Sequence, residues 1–266
     1  MKSLQSPLTS LPRLGSEYDQ WCRREFAILR EKIEPYVVEM TMPCPYGLPH
    51  TARFSQASFD HLTDRQLEVF FAAGYRRNGN SLYTMRCWDC HACVPIRLRP
   101  DQFQPNRSQR RAWKRNQDLS VILGELELDL GHLGLCDLFL QTRYPRERNR
   151  AYGYYGEFFC NTIANTRQMQ FRLDDKLLGA SIIDIGENFI NAVYFYFDPS
   201  EARRSLGTFN ILSLIELCRE MDISYLYLGY RIAETRAMRY KGAFKPHQLL
   251  LGERWVEVQK GPELQP

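Results

Sequence analysis

Nothing in this 266-residue chain approaches the ~20 consecutive apolar residues of a membrane span, and no basic-then-apolar run opens it. Neither a spanning helix nor a secretory signal is therefore expected. Internal repeats and low-complexity stretches are missing as well, which excludes solenoids and disordered linkers. Charge of one sign is scarce: 35 Lys and Arg against 31 Asp and Glu leave a net charge of +4. An anionic partner must then be met by a local patch rather than by a global field. What is present, 44% hydrophobic and 25% charged residues, is the make-up of a globular protein with one large or two small domains. A cytoplasmic location without membrane partners is expected, so the eight cysteines are read as thiols or metal ligands rather than disulfides.

The stretch Ile190–Met221 organises the rest. Ile190–Phe197 is dense in aromatic and β-branched residues and reads as a buried strand. Asp198-Pro199 ends it, because proline cannot continue a central ladder. After a charged loop, apolar residues at Ile211, Leu212, Leu214, Ile215, Leu217, Cys218 and Met221 fit a helix with a wide buried stripe. Ser205 or Thr208 is its expected N-cap. Free backbone N–H groups at such a start, with Arg203 and Arg204 alongside, suit a phosphate; an ordinary capped core helix is the alternative.

In chain order, Glu17–Ile33 reads as a helix and Tyr36–Met40 as a strand running into a rigid Pro43–Pro49 turn. Thr63 with Gln66 makes a capping box, and Gly74 can supply the left-handed end of the helix it starts. Arg76–Asn80 reads as a turn before a strand Ser81–Met85. Leu119–Leu123 is a further strand, Leu130–Tyr144 a helix, and Tyr152–Tyr155 a flexible aromatic loop after an arginine-rich run, Arg143–Arg150. Gln168–Leu173, Leu178–Ile185 and Ile190–Phe197 form a meander. Tyr225–Tyr230 is another buried strand, Ala237–Lys241 a short helix, and Trp255–Val258 a last strand.

Two runs carry chemistry. Cys87, Cys90 and Cys93 stand at C-x2-C-x2-C spacing, with Cys44 upstream and His91 between them. Thiolates so spaced can grip zinc or an iron–sulfur cluster, with Cys44 or His91 as fourth ligand; three reduced cysteines in a tight turn is the other reading. Arg107, Arg110, Arg111, Lys114 and Arg115 fall within ten residues that contain no acid, with Trp113 among them. Four of these share a helix face, which suits a nucleic-acid backbone, and Trp113 permits stacking.

Three strands, a strand–loop–helix anion site, another strand and Met238–Phe244 resemble the Gcn5-related N-acyltransferase fold. The loop Arg204-Ser205-Leu206-Gly207-Thr208 lacks the second small residue usual in coenzyme A enzymes, which argues against that donor. Pro43–Tyr46, Gly74–Gly79, Cys87–Arg97, Asn106–Arg111, Tyr196–Pro199, Arg204–Thr208, Tyr227–Tyr230, Met238–Lys241 and Phe244–Pro246 together resemble the arginyl-tRNA–protein transferase family. The likeness is greatest to its bacterial aspartate/glutamate leucyltransferase branch. Gly47 is inserted where the family runs on to Leu-Pro, and it stands where eukaryotic members place a second cysteine. Arg231 replaces the usual Trp, and Ala237 the usual Lys.

The resemblance implies an α/β (α+β) protein: residues 1–117 as a smaller cysteine-containing domain with the basic run, and 118–266 as an acyltransferase-like catalytic domain. It implies transfer of an amino acid, leucine favoured, from its tRNA to proteins that begin with Asp or Glu, marking them for degradation. No cofactor is required, a zinc ion or iron–sulfur cluster at Cys44, Cys87, Cys90 and Cys93 aside. Arginyl-tRNA as donor, coenzyme A-dependent acetyltransfer and non-catalytic RNA binding are the alternatives. Arg107, Arg110, Arg111, Lys114 and Arg115, with Arg203, Arg204, Ser205, Gly207 and Thr208, are expected to hold tRNA. Arg76, Arg77, Arg97, Tyr196, Tyr230 and Arg231 are expected around the substrates. Asp198, Tyr240 and Lys241 are the expected catalytic groups.

Overall fold

In the computed structural model, which describes residues 13–145 and 149–259, the alternating runs close into two sheets. Residues 1–12, and Arg146 and Arg148 of the arginine-rich run, lie outside the described residues.

Helix α1 (Gly15–Ile33) leads into strand β1 (Val38–Pro43) and β2 (Thr51–Ser58). Helix α2 (Asp64–Ala72) starts on the expected capping box: the Thr63 hydroxyl accepts from the Gln66 amide at 3.3 Å, and Gln66 Oε1 accepts from the Thr63 amide at 2.9 Å. The chain then turns at Gly74, φ +85°, where a Cβ would meet Leu250 Cδ2 at 2.7 Å. Only glycine satisfies both the dihedral and the approach. β3 (Arg76–Asn78) and β4 (Ser81–Met85) follow as a hairpin, so the expected turn shrinks to Gly79 and Asn80. These strands form a four-stranded sheet in the order β1-β2-β4-β3.

The larger sheet takes β5 (Val94–Leu98), β6 (Ser120–Gly124), β7 (Thr166–Leu173), β8 (Lys176–Ile185), β9 (Phe189–Phe197), β10 (Tyr225–Arg231), β11 (His247–Leu251) and β12 (Arg254–Val258). Its order is β12-β11-β5-β10-β9-β8-β7-β6. β5, from the segment that sequence places in the N-terminal domain, thus lies between β10 and β11. α3 (Arg107–Arg115) and α6 (Leu206–Glu220) touch each other on one face, where Ile183, Ile190, Phe209, Leu214, Ile215 and Leu226 make the main core. On the other face lie α4 (Leu130–Arg143) and α5 (Ala151–Tyr154). The latter runs on into a π turn, Tyr155–Phe159, so the aromatic loop expected there is helical. α1 and α2 bury Tyr18, Phe70 and Phe71 against Phe189, Tyr225 and Tyr227 at one end.

β9 and β10 are the exception in an otherwise antiparallel sheet. They are joined through α6, as a parallel pair requires a crossover. Their pairing covers only Phe189–Asn191 against Tyr225–Tyr227. Beyond that point the strands part. β9 shifts register against β8 around Val193, and β10 bulges against β5 between Tyr227 and Gly229.

Candidate active site and nucleic-acid face

Arg76, projected from β3, reaches into the gap where β9 and β10 separate. Its Nη1 donates to Asn191 Oδ1 at 2.7 Å and its Nη2 to the Ala192 carbonyl at 2.8 Å. These are the last paired residue of β9 and the first unpaired one. The guanidinium also lies against Gly229 of β10, φ +85°, where a Cβ would stand 2.8 Å from Arg76 Cζ. Arg76 therefore bridges the two strands at the point of splay, with three of its five N–H donors uncommitted by these bonds.

Around it gather segments far apart in sequence. Tyr46, Tyr83 and Tyr230 form the surroundings of the Arg76 charge, and Cys93 lies near the same three tyrosines. The Tyr230 hydroxyl is buried beside Thr84 without a hydrogen bond of normal geometry. Lys241, half-buried on the short turn after α7 (Arg236–Arg239), donates from Nζ to the Tyr230 carbonyl at 3.1 Å. Desolvation first, and then the nearby Arg76 charge, lower its ammonium pKa to about 7. The neighbouring Tyr240 is exposed.

Other residues singled out from sequence have different surroundings. Arg77 is buried and bidentate to Asp184, at 2.8 Å from both Nε and Nη2, and bonds the Gly79 and Phe158 carbonyls. Arg97 is buried between Tyr225 and Trp255, with Asp19 at 2.6 Å and Gln248 at 2.7 Å. Tyr196 points toward α4 and α5, its hydroxyl 2.5 Å from that of Tyr155. Arg231 is buried at the end of β10, opposite Val94. Asp198 caps the 3-10 turn Pro199–Arg204 through Ser200 and meets Lys176 Nζ at 3.0 Å. Burial raises its pKa, but the bonds from Ser200 and Lys176 outweigh that and hold the carboxyl below its usual range.

The basic run forms α3, capped by a box sequence reasoning missed: Asn106 Oδ1 accepts from the Gln109 amide at 3.0 Å, and Gln109 Oε1 accepts from Asn106 at 2.8 Å. Arg107, Arg110, Arg111, Lys114 and Arg115 all face solvent, while Gln109, Ala112 and Asn116 are buried. Trp113 leans on Phe209 of α6, with ring centroids 5.4 Å apart. Asn116 Nδ2 donates to the Arg204 carbonyl at 2.9 Å, and Arg115 bonds the Arg203 carbonyl. The basic helix is thereby docked beside the start of α6. Arg204 is held by Asp118 at 2.9 Å and Glu201 at 3.1 Å. Ser205 occupies the N-cap position in the left-handed region, φ 57°, without a side-chain cap bond, and Thr208 lies inside the helix. The space where a Cβ of Gly207 would stand is open.

Cys44, Cys87 and Cys90 surround Cys93, whose thiol is pushed up to about 12 by burial and then by these neighbours. All four are free thiols. A tetrahedral thiolate centre with metal–sulfur bonds of about 2.3 Å needs sulfurs roughly 3.8 Å apart. Among the described residues, no cysteine belongs to a group of three or more ligand atoms within 4.8 Å of one another. The arrangement does not fit a preformed zinc or cluster site. Glu127, Asp129 and His132, on the α4 approach, do form such a group, and sequence did not suggest it.

The meander ending on a parallel strand pair that opens at a helix start has the strand arrangement expected from the likeness to the Gcn5-related N-acyltransferase fold. Models of the C terminus and the N terminus of arginine-tRNA-protein transferase match residues 132–251 and 42–111, and the chain belongs to this family of aminoacyltransferases. A protein named aspartate/glutamate leucyltransferase from Methylobacillus flagellatus is 35% identical over 84% of this chain and 91% of its own. One of the same name from Aeromonas hydrophila is 34% identical over 83% and 93%. Solved structures are more remote. L-PGS from Bacillus licheniformis has a TM-score of 0.41 at 10% identity, covering 62% of this chain and 49% of its own. A tandem GNAT protein of the clavulanic acid pathway has 0.35 at 13%, covering 91% and 70%.

Proposed function

We propose that this chain transfers leucine from leucyl-tRNA to the N-terminal Asp or Glu of acceptor proteins. The observation that carries the reading is the cationic Arg76 set in the β9–β10 splay. An acceptor's acidic side chain, once out of water, needs such a partner. Relatives bearing the leucyltransferase name over nine-tenths of their length support the donor.

In this reading the acceptor's α-amine, pKa roughly 7.7–8.0, lies in the splay as the free base and attacks the ester carbonyl carbon. The new C–N bond forms, the C–O bond to the tRNA ribose breaks, and the ribose oxygen leaves with a proton. Lys241, neutral in a large fraction near pH 7, accepts the proton that the attacking nitrogen sheds and returns it to the leaving oxygen. The aminoacyl ester is already reactive, so positioning carries much of the rate. The exposed face of α3 follows the tRNA backbone, and the open start of α6 receives a phosphate near its acceptor end.

Incubation of the protein with leucyl-tRNA, arginyl-tRNA or acetyl-coenzyme A, and peptides beginning with Asp, Glu or Ala, tests this. Leucine is expected on the Asp and Glu peptides alone. Labelling only from acetyl-coenzyme A, or from no donor, refutes the proposal; arginine in place of leucine corrects the donor.

A further inference from the structure

The Arg76 guanidinium does not stand alone in the splay. Behind it runs a buried polar chain that crosses β9 and β8. Asn191 Oδ1 accepts from Arg76 at 2.7 Å, and Asn191 Nδ2 donates to Asp184 Oδ2 at 2.9 Å. Asp184 is fixed in turn by Arg77, bidentate at 2.8 Å, and by the Thr166 hydroxyl at 2.7 Å on Oδ1. Asn191 and Asp184 are 0% and 1% exposed, so no water competes for these bonds.

The direction of each bond matters. An amide has one acceptor and one donor end, and here Asp184 can take only the donor end. Asp184 thereby turns the Asn191 carbonyl oxygen toward the splay, where it can meet only a donor. Arg77, whose side chain is fully buried, neutralises Asp184 and fixes both of its oxygens. On the opposite side, glycine at 229 leaves room for the guanidinium plane, since a Cβ there would stand 2.8–3.0 Å from three of its atoms.

We infer that Asn191 and Asp184 are positioning residues that aim Arg76 at the acceptor's acidic side chain, making acceptor selection a property of the β8–β9 core. This rests on reading Arg76 as the partner of that carboxylate. The adjacent arginines of the Gly74–Gly79 segment divide the work: Arg76 faces the substrate, and Arg77 anchors the chain that orients it. A guanidinium held on two fixed acceptors and one flat face loses little freedom on binding, and its remaining N–H groups present a set direction.

A double-mutant cycle on the full chain tests this, with the KM for an Asp-initiated peptide and the KM for leucyl-tRNA measured separately. Arg76→Ala is expected to raise the peptide KM roughly 10- to 100-fold, the value of a charge-assisted hydrogen bond. Asn191→Leu, of similar volume, is expected to raise it about tenfold in the wild-type background and not at all on top of Arg76→Ala. The tRNA KM stays put in all three variants, which loss of fold alone would not allow. A peptide KM unmoved by Arg76→Ala overturns the underlying reading of Arg76, and the inference with it. If Arg76→Ala raises the KM but Asn191→Leu has no effect, or a fully additive one, only the positioning inference falls. Should Asn191→Leu not fold, Gly229→Ala displaces the same guanidinium from the other side. It is expected to raise the peptide KM only while Arg76 is present, and an equal rise in both backgrounds overturns the inference.

Discussion

Lys241 and Asp198 show how differently two charged residues expected in the chemistry are placed. Lys241 has its pKa lowered to about 7, below its unfolded value, so the unfolded chain binds more protons between about pH 7 and pH 10. Stability of the wild type should therefore climb with pH across that window relative to Lys241→Met, measured by urea unfolding at pH 7 and 9. The same variant should lose single-turnover transfer at saturating tRNA and peptide, by the 10²–10⁴-fold typical of a missing proton acceptor. A wild-type rate and pH profile would remove Lys241 from the mechanism. Asp198 moves the other way. Its pKa is held down, so its contribution is present above the unfolded value of about 3.9 and lost as pH falls through the folded one. Asp198→Ala should cost about 1 kcal/mol at pH 7, the value of a lost cap, with the cost fading toward pH 3. Its rate at neutral pH should remain that of the wild type.

Among the elements, α3 has the clearest division of labour. Its five exposed cations need only their charge, whereas Gln109 ties the helix to the Ala243 carbonyl after α7 and Asn116 ties it to the Arg204 carbonyl before α6. Changing Arg107, Arg110 and Arg111 together to Ala should weaken tRNA binding. The slope of log K against log salt should flatten by up to about 2.7 units, ~0.9 for each duplex phosphate that is no longer neutralised. An unchanged slope would place the tRNA elsewhere. The exposed cationic face of this run was legible because four of its cations fall at helical spacing. Its docking was not, since Gln109 and Asn116 look like surface residues until their partners on distant segments are known. β5 was hidden for a related reason: Val94-Pro95-Ile96-Arg97-Leu98 has a proline and an arginine where a buried strand should be uniformly apolar. The arginine is tolerated because Asp19, Gln248 and two aromatic rings surround it. β2, with Ala52, Ser55 and Ala57 as its buried positions, has inward side chains too small to register as an apolar face. The β7–β8–β9 meander and the capping box of α2 could be read directly, because each depends on residues close in sequence.

At the scale of the whole molecule, the two sheets are tied together through the candidate site. Arg76 and Arg77 leave β3 of the smaller sheet and end on Asn191 and Asp184 of the larger one. β5 fills the larger sheet between β10 and β11, registering Leu98 with Leu226 and Ile96 with Leu249. A fragment of residues 118–266, the unit suggested by the resemblance, would keep β6 to β12 but lose β5. It would leave β10 with an unpaired edge beyond the splay and strip Ile96 and Leu98 from the main core. Losing two such fully buried side chains costs on the order of 5 kcal/mol, comparable to the entire stability of many domains. The exposed edge would also template aggregation. The fragment expressed alone should therefore be insoluble or lack a cooperative thermal transition, and co-expression with residues 1–117 should restore both solubility and a single transition. A fragment that unfolds cooperatively by itself, with far-ultraviolet circular dichroism of a mixed sheet, would show that β5 is an addition to an independent unit. The full chain should show one transition rather than two, and Arg77→Leu should lower it as a whole, because that residue's ion pair spans both sheets.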